Sequence, residues 1–197
     1  MRLTARKTLM ALAAAVFTAG CGDSGLTTPT RAAAPTVTAE HQLLASPVNV
    51  NVMQRDEPLP APVSTSVTVG MFGGAMSLPG TGLRVIIPPL AVTRTTTLTV
   101  TAPAGSAVAY EFGPHGTRFL VPLVVMQDLT HVNMSGVNPL QIFAGYYSSL
   151  DSGGGLASVT ELLNTNVDVA NLSAVFTVTH FSGYLLASGR CSSDQVQ

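Results

Sequence analysis

The fold class this sequence predicts is all-β, an antiparallel sandwich, and three observations lead there. Apolar and polar residues alternate with a period of two in several short runs. Gly and Pro, 18 and 13 of 197 residues, punctuate these runs at intervals of roughly 8–12 residues. No stretch sustains a helical period. The runs come in the following order. Val48, Val50 and Val52 alternate with Asn49, Asn51 and Met53, before Pro58, Pro60 and Pro62 interrupt any ladder. Ser64–Val69 resumes the alternation, and Gly73-Gly74 and Pro79-Gly80-Thr81-Gly82 read as turns. Leu83–Ile87 is a short apolar strand stopped by Pro88-Pro89. Thr95–Thr101 is nearly pure β propensity, with Leu98 and Val100 facing inward. Strands are expected at 108–112, 119–127, 140–147, 159–163, 167–169, 175–180 and 184–187, about ten in all. Any helical segment is confined to Thr160-Glu161-Leu162-Leu163, as an alternative to the strand expected at 159–163.

The N-terminus reads differently. Arg2, Arg6 and Lys7 precede an apolar, Ala-rich stretch from Thr8 to Gly20. That stretch is too short for a bilayer span, which needs roughly 20 residues, and suits the h-region of an export signal. Ala19-Gly20-Cys21 resembles a bacterial lipobox, with Thr18 in place of the usual branched apolar residue. The resemblance implies cleavage before Cys21 and lipidation of its thiol, hence a partner in the membrane itself. The alternative is an ordinary signal cut near Gly20. Two or three acyl chains make a stable anchor where one does not. Gly22, not an acid, follows the cysteine, which favours the outer membrane by the same resemblance. The resulting organisation is a signal peptide over 1–20, a flexible Thr/Pro/Ala tether over 21–46, and an extended lead-in with its Pro-rich segment over 47–63. The sandwich follows over 64–190 and a disordered tail over 191–197.

Charge narrows the function classes. The formal net charge is −1, and only 10% of residues are charged, against about 25% in an average domain. With the signal removed, six Arg face ten acidic residues, near −4. No basic field exists to attract nucleic acid. Of the two cysteines, Cys191 is left as a lone thiol once Cys21 carries lipid, so the domain is expected to fold without disulfides.

The turn and strand residues share one further pattern. Gly73-Gly74, Pro79-Gly80-Thr81-Gly82-Leu83 and Ile87-Pro88-Pro89-Leu90-Ala91-Val92 come first. Gly113-Pro114-His115-Gly116-Thr117-Arg118-Phe119, Pro122-Leu123 and Val178-Thr179-His180-Phe181-Ser182-Gly183-Tyr184 follow. In this order and spacing, over about 115 residues, they resemble a ZU5 domain. Leu90 stands where that family usually has Gly, and no downstream partner domain is present in this sequence. The resemblance implies a structural or protein-interaction module, not catalysis.

It also implies one chemistry. Some ZU5-containing proteins cut themselves within His-Phe-Ser, here between Phe181 and Ser182. The Ser oxygen attacks the preceding carbonyl and the resulting ester is hydrolysed, with a nearby His accepting the hydroxyl proton. On a strand, His180 and Ser182 would lie on one side. The bland alternative has His180 and Phe181 packed and Ser182 opening a turn. Other chemistries find less support. His41, His115, His131 and His180 show no metal-ligand spacing, so neither metal nor cofactor is expected. No Gly-x-Ser-x-Gly elbow or phosphate loop occurs, and no small-molecule substrate is evident. Tyr146, Tyr147 and Tyr184 offer a carbohydrate-stacking surface as a further alternative, with at least one of the adjacent pair expected inside.

Overall fold

The computed structural model describes residues 41–191. The signal peptide, Cys21, most of the tether and residues 192–197 lie outside that range. Fourteen strands carry the fold. The first seven are β1 (His41–Val52), β2 (Gln54–Leu59), β3 (Val63–Val69), β4 (Gly74–Leu78), β5 (Leu83–Ile87), β6 (Thr96–Ala102) and β7 (Gly105–Ala107). They are followed by β8 (Ala109–Gly113), β9 (Arg118–Asp128), β10 (Phe143–Leu150), β11 (Leu156–Leu163), β12 (Thr165–Asp168), β13 (Ser173–His180) and β14 (Gly183–Arg190). A 3₁₀ turn at Pro139–Gln141 precedes β10, its first turn capped by the Asn138 side chain.

Two antiparallel sheets pack face to face. One has seven strands in the order β1-β11-β10-β14-β8-β6-β3, and the other has five in the order β12-β13-β9-β5-β4. β1 also pairs with β14, so β1, β11, β10 and β14 close on one another as a ring. β2 and β7 form a separate ribbon.

The pleat explains the main core. Leu83, Val85 and Ile87 of β5, Leu123 and Val125 of β9, and Phe176 and Val178 of β13 face inward from the five-stranded sheet. Leu98 and Val100 of β6 and Tyr110 and Phe112 of β8 meet them from the other. Each such side chain contributes about 1.5–3 kcal/mol when removed from water. A second core fills the ring with Val50, Val52, Tyr147, Val159, Leu185 and Ala187. β14 belongs to both: Tyr184 and Leu186 face the main core, while Leu185 and Ala187 face the second. On the outer face of β3 and β6, hydroxyls pair across the strands, Ser64 with Thr101, Ser66 with Thr99 and Thr68 with Thr97, at 2.9–3.0 Å.

Several expectations are corrected. Residues 41–46 are strand, not tether, because β1 pairs His41–Leu43 with Glu161–Leu163. Val50, Val52 and Met53 are core, so the lead-in belongs to the sandwich. The strand expected at 159–163 is present, and the helical alternative for Thr160–Leu163 is not. It lies inside β11, hydrogen-bonded to both β1 and β10, which overrides the helix preference of Glu and Leu. Leu140 lies in the 3₁₀ turn, so the strand expected from 140 begins at Phe143. Gly74 opens a strand. Pro58 sits within β2, where the pairing with β7 is interrupted between Gln54 and Leu59, so no ladder bond is lost.

Two backbone positions set the turns at one end of the sandwich. Gly73 has φ +70°, and a Cβ there would lie 2.1 Å from the Ile87 carbonyl oxygen, so only Gly closes the β3–β4 turn against β5. Leu90 has φ +65° without being Gly. Its amide donates to the Met71 carbonyl at 2.8 Å, which holds it there. The left-handed region costs a branched residue about 1–2 kcal/mol. Leu90→Gly should therefore raise stability by about 0.5–1 kcal/mol, after the extra unfolded-state entropy of Gly. In thermal unfolding this is a gain of about 2–3 °C. An unchanged or lower midpoint would show that position 90 carries no strain.

Candidate functional site

The tripeptide His180-Phe181-Ser182 takes the chain from one sheet to the other. β13 ends at His180, opposite Arg118 of β9, and β14 begins at Gly183, opposite Glu111 of β8. A bend at Ser182 breaks the strand alternation, so the expected shared side for positions 180 and 182 does not apply. The His180 ring stands against two tyrosines, its centroid 5.8 Å from Tyr146 and 5.9 Å from Tyr184. The Tyr184 hydroxyl donates to the His180 carbonyl at 2.7 Å. Among the described residues no hydrogen bond joins the His180 ring to Ser182.

Phe181 is buried where the sheets meet. Its ring lies 4.7 Å from Phe119 and 5.1 Å from Phe112, pairs worth about 0.5–1.5 kcal/mol each beyond burial. Its amide donates to Thr117 O at 2.8 Å, and its carbonyl accepts from Gly116 N–H at 3.0 Å. Ser182 O accepts from Phe112 N–H at 3.0 Å. Gly183 admits the Tyr147 ring, since a Cβ there would meet ring carbons at 2.9 Å. Gly183 therefore serves as a close-approach residue.

An acyl shift at this bond needs a polarised carbonyl, a hydroxyl at its carbon and a base on that hydroxyl. Gly116 N–H is a donor on the Phe181 carbonyl. The His180 ring packs against two tyrosine rings, and neither Phe181 nor Ser182 adopts positive φ. The purified protein should accordingly keep one mass across Phe181–Ser182, the same for Ser182→Ala apart from the lost oxygen. Accumulation of a fragment ending at Phe181 in the parent but not in the variant would establish self-cleavage.

Other sequence candidates are dispersed. His115 is exposed, its Nε2 3.6 Å from Glu111 Oε2, and His131 is exposed at the end of the sandwich where β9 finishes. His41 opens β1. Among the described residues no three His, Cys, Asp or Glu side chains come together to hold a metal. Tyr147 and Tyr184 are buried and Tyr146 is half-buried, so the stacking surface suggested for carbohydrate is turned inward. Cys191 is a half-buried free thiol, its amide bonded to Asn49 O at 3.0 Å. No helix among the described residues is long and apolar enough to cross a membrane.

The same end of the molecule carries what the sequence did not reveal. The β3–β4 turn and the loop after β5 are joined by the Leu90–Met71 bond, and Leu120 N–H donates to Ala91 O at 3.1 Å. These bonds bring the backbone at Met71, Leu90–Ala91 and Leu120 together, and the apolar side chains there are exposed: Met71 (52%), its neighbour Phe72 (86%), Leu90 (60%) and Leu120 (73%). Beside them is a cleft of about 560 Å³ lined by Arg94, Arg118 and several threonines. Neither arginine is paired with an acid among the described residues. Residues 71–72, 90 and 120 are too far apart in sequence for any local pattern to mark them as one surface.

Compared with known proteins, the chain matches no family model and no curated relative. The ZU5 and lipobox resemblances therefore rest on the motif residues themselves.

Three buried tyrosines have hydroxyls held above the ordinary tyrosine range. Burial raises the Tyr147 hydroxyl above the ordinary tyrosine range, helped by its hydrogen bond to Glu111 and by that carboxylate's charge. Tyr184 is raised by burial and then by the charges of Glu161 and Tyr146. Tyr110 is raised by burial, partly offset by Arg55 and by hydrogen bonds. The folded chain thus binds these protons more tightly than the unfolded one. Their contribution is complete below the unfolded tyrosine value near 10 and is lost as pH rises above it. Urea unfolding from pH 9 upward should show stability falling by up to about 1.4 kcal/mol per pH unit for each tyrosine. Tyr147→Phe should make that fall shallower, and an equal slope in parent and variant would exclude Tyr147 from it.

Proposed function

We propose that the chain is an exported lipoprotein of the bacterial cell envelope, anchored through Cys21 with the outer membrane favoured, whose β-sandwich presents a protein-interaction surface. The observation that carries the interaction reading is the exposed apolar end formed by Met71, Phe72, Leu90 and Leu120. Exposed apolar side chains gathered in one patch mark interaction sites, whereas scattered ones are ordinary. Phe72 is the exposed aromatic anchor of this patch, and the arginines of the adjoining cleft supply the polar rim that protein interfaces favour. The anchoring half of the reading rests on the short apolar h-region and the small residues before Cys21.

Two measurements in intact cells test the two halves. Membrane-extracted protein should have lost residues 1–20 and gained acyl mass, and Cys21→Ser should leave the membrane fraction. A photo-crosslinking amino acid in place of Phe72 should give discrete protein adducts. The same substitution at Val169, exposed in the β12–β13 hairpin, should not. An unacylated mature mass removes the anchor. Adducts at position 72 no stronger than at 169 remove the interaction surface.

A further inference from the structure

Strand β3 is the last strand of the seven-stranded sheet, and its outer edge is open. It pairs with β6 along its whole length, Val63 with Ala102 through Val69 with Thr96, without a register shift. On its other side no strand follows, and the main-chain groups that point there have no main-chain partner among the described residues. Such a row of unpaired donors and acceptors is a template for one more strand, which folded proteins usually blunt with charge, proline, a bulge or short length. The outer strands of the five-stranded sheet are treated that way. β12 has four residues and ends in Asp168, and β4 has five and begins at Gly74. β3 has seven residues, Val-Ser-Thr-Ser-Val-Thr-Val, with no charge, no proline and no bulge.

Both faces of β3 have room for a neighbour. Val63 and Val67 pack against the main core yet stay half-buried, as does Thr65, whereas Leu98 and Val100 on the next strand inward are fully buried. On the outer face Ser64, Ser66 and Thr68 are exposed, each paired with one hydroxyl of β6. A hydroxyl donates once and accepts twice, so each can take a further partner. The strand is also complementary to itself. Laid antiparallel on a second copy about Ser66, it sets Val63 against Val69, Thr65 against Val67 and Ser64 against Thr68. Branched apolar groups then meet on the inner face and hydroxyls on the outer one, pairings that favour antiparallel strands. No charge on either strand opposes the contact.

We propose that two copies of this chain pair antiparallel through β3 in a two-fold dimer, with one sheet running through both. The axis passes beside Ser66, and each copy uses up the edge of the other, so the assembly stops at two. Seven residues at about 3.4 Å each make a contact about 24 Å long. With a depth of about 10–20 Å, it covers on the order of 500–1,000 Å² over both copies, the size of a weak, reversible interface. This surface is separate from the apolar end and does not depend on the interaction reading. Because the paired strands run in opposite directions, the two Phe72 turns lie at opposite ends of the contact.

Sedimentation velocity of the purified full chain tests this, under reducing conditions and with Cys21→Ser so that neither thiols nor acyl chains associate. Between about 1 and 200 µM the parent should pass from monomer to dimer, with Kd of about 10–100 µM and no larger species. Ser66→Lys and Ser66→Glu each set like charges against one another at the axis, and each should weaken dimerisation about tenfold or more. Position 66 is exposed, so the thermal midpoint of either variant at about 1 µM should stay within about 2 °C of the parent. An equimolar mixture of the two variants sets Lys against Glu and should dimerise about as tightly as the parent. A parent still monomeric at about 200 µM overturns the second copy as the occupant of this edge. So does a dimer that either variant leaves intact, or a mixture that associates no better than each variant alone.

Discussion

Strand β14 has no solvent face along Tyr184–Ala187, and the two cores meet on it. Its even-numbered side chains close the space between the sheets and its odd-numbered ones fill the ring. A pleated strand can do this only if every residue is apolar, hence the unbroken Tyr-Leu-Leu-Ala run. The backbone is equally committed: β14 is bonded to β8, β10 and the end of β1. A polar substitution on either face would strip one core of its floor without relieving the other. The aromatic seam of Phe112, Phe119, Phe181 and Tyr184 adds geometric specificity at the point where β13 hands over to β14.

Much of the fold was legible because it is written in period two. Leu83, Val85 and Ile87 announce a strand and its inner face together, as do Leu98 with Val100 and Phe176 with Val178. What escaped has identifiable causes. β1 begins with a register shift between Leu43 and Val48, so its early residues do not alternate and resemble a tether. The strand at 159–163 was legible, but its start at Leu156 and its partners in β1 and β10, remote in sequence, were not. Gly73-Gly74 marks a turn, and that mark hides Met76 and Leu78 as core residues of the strand beyond it.

The candidate sites were less legible than the fold. His180 and Ser182 are two apart, and strand geometry would align them. The chain leaves its strand between them, a change of sheet that composition does not encode. The apolar end is likewise a product of assembly, built from the β3–β4 turn, the loop after β5 and the start of β9, which two main-chain bonds hold side by side.

The ring that β1 closes with β14 has a kinetic side. Val52 pairs with Ala187, about 135 residues further along the chain. Such closures cost loop entropy before they return any packing, and topologies rich in them fold in milliseconds to seconds where helical bundles take microseconds. Until that late strand arrives, β1, β8 and β10 each have an open edge, a template for pairing with other chains. The contact order of this fold thus makes its assembly depend on keeping early strands apart from their counterparts in neighbouring molecules. The hydroxyl-rich outer faces and the short edge strand β12 serve that separation once the ring has shut.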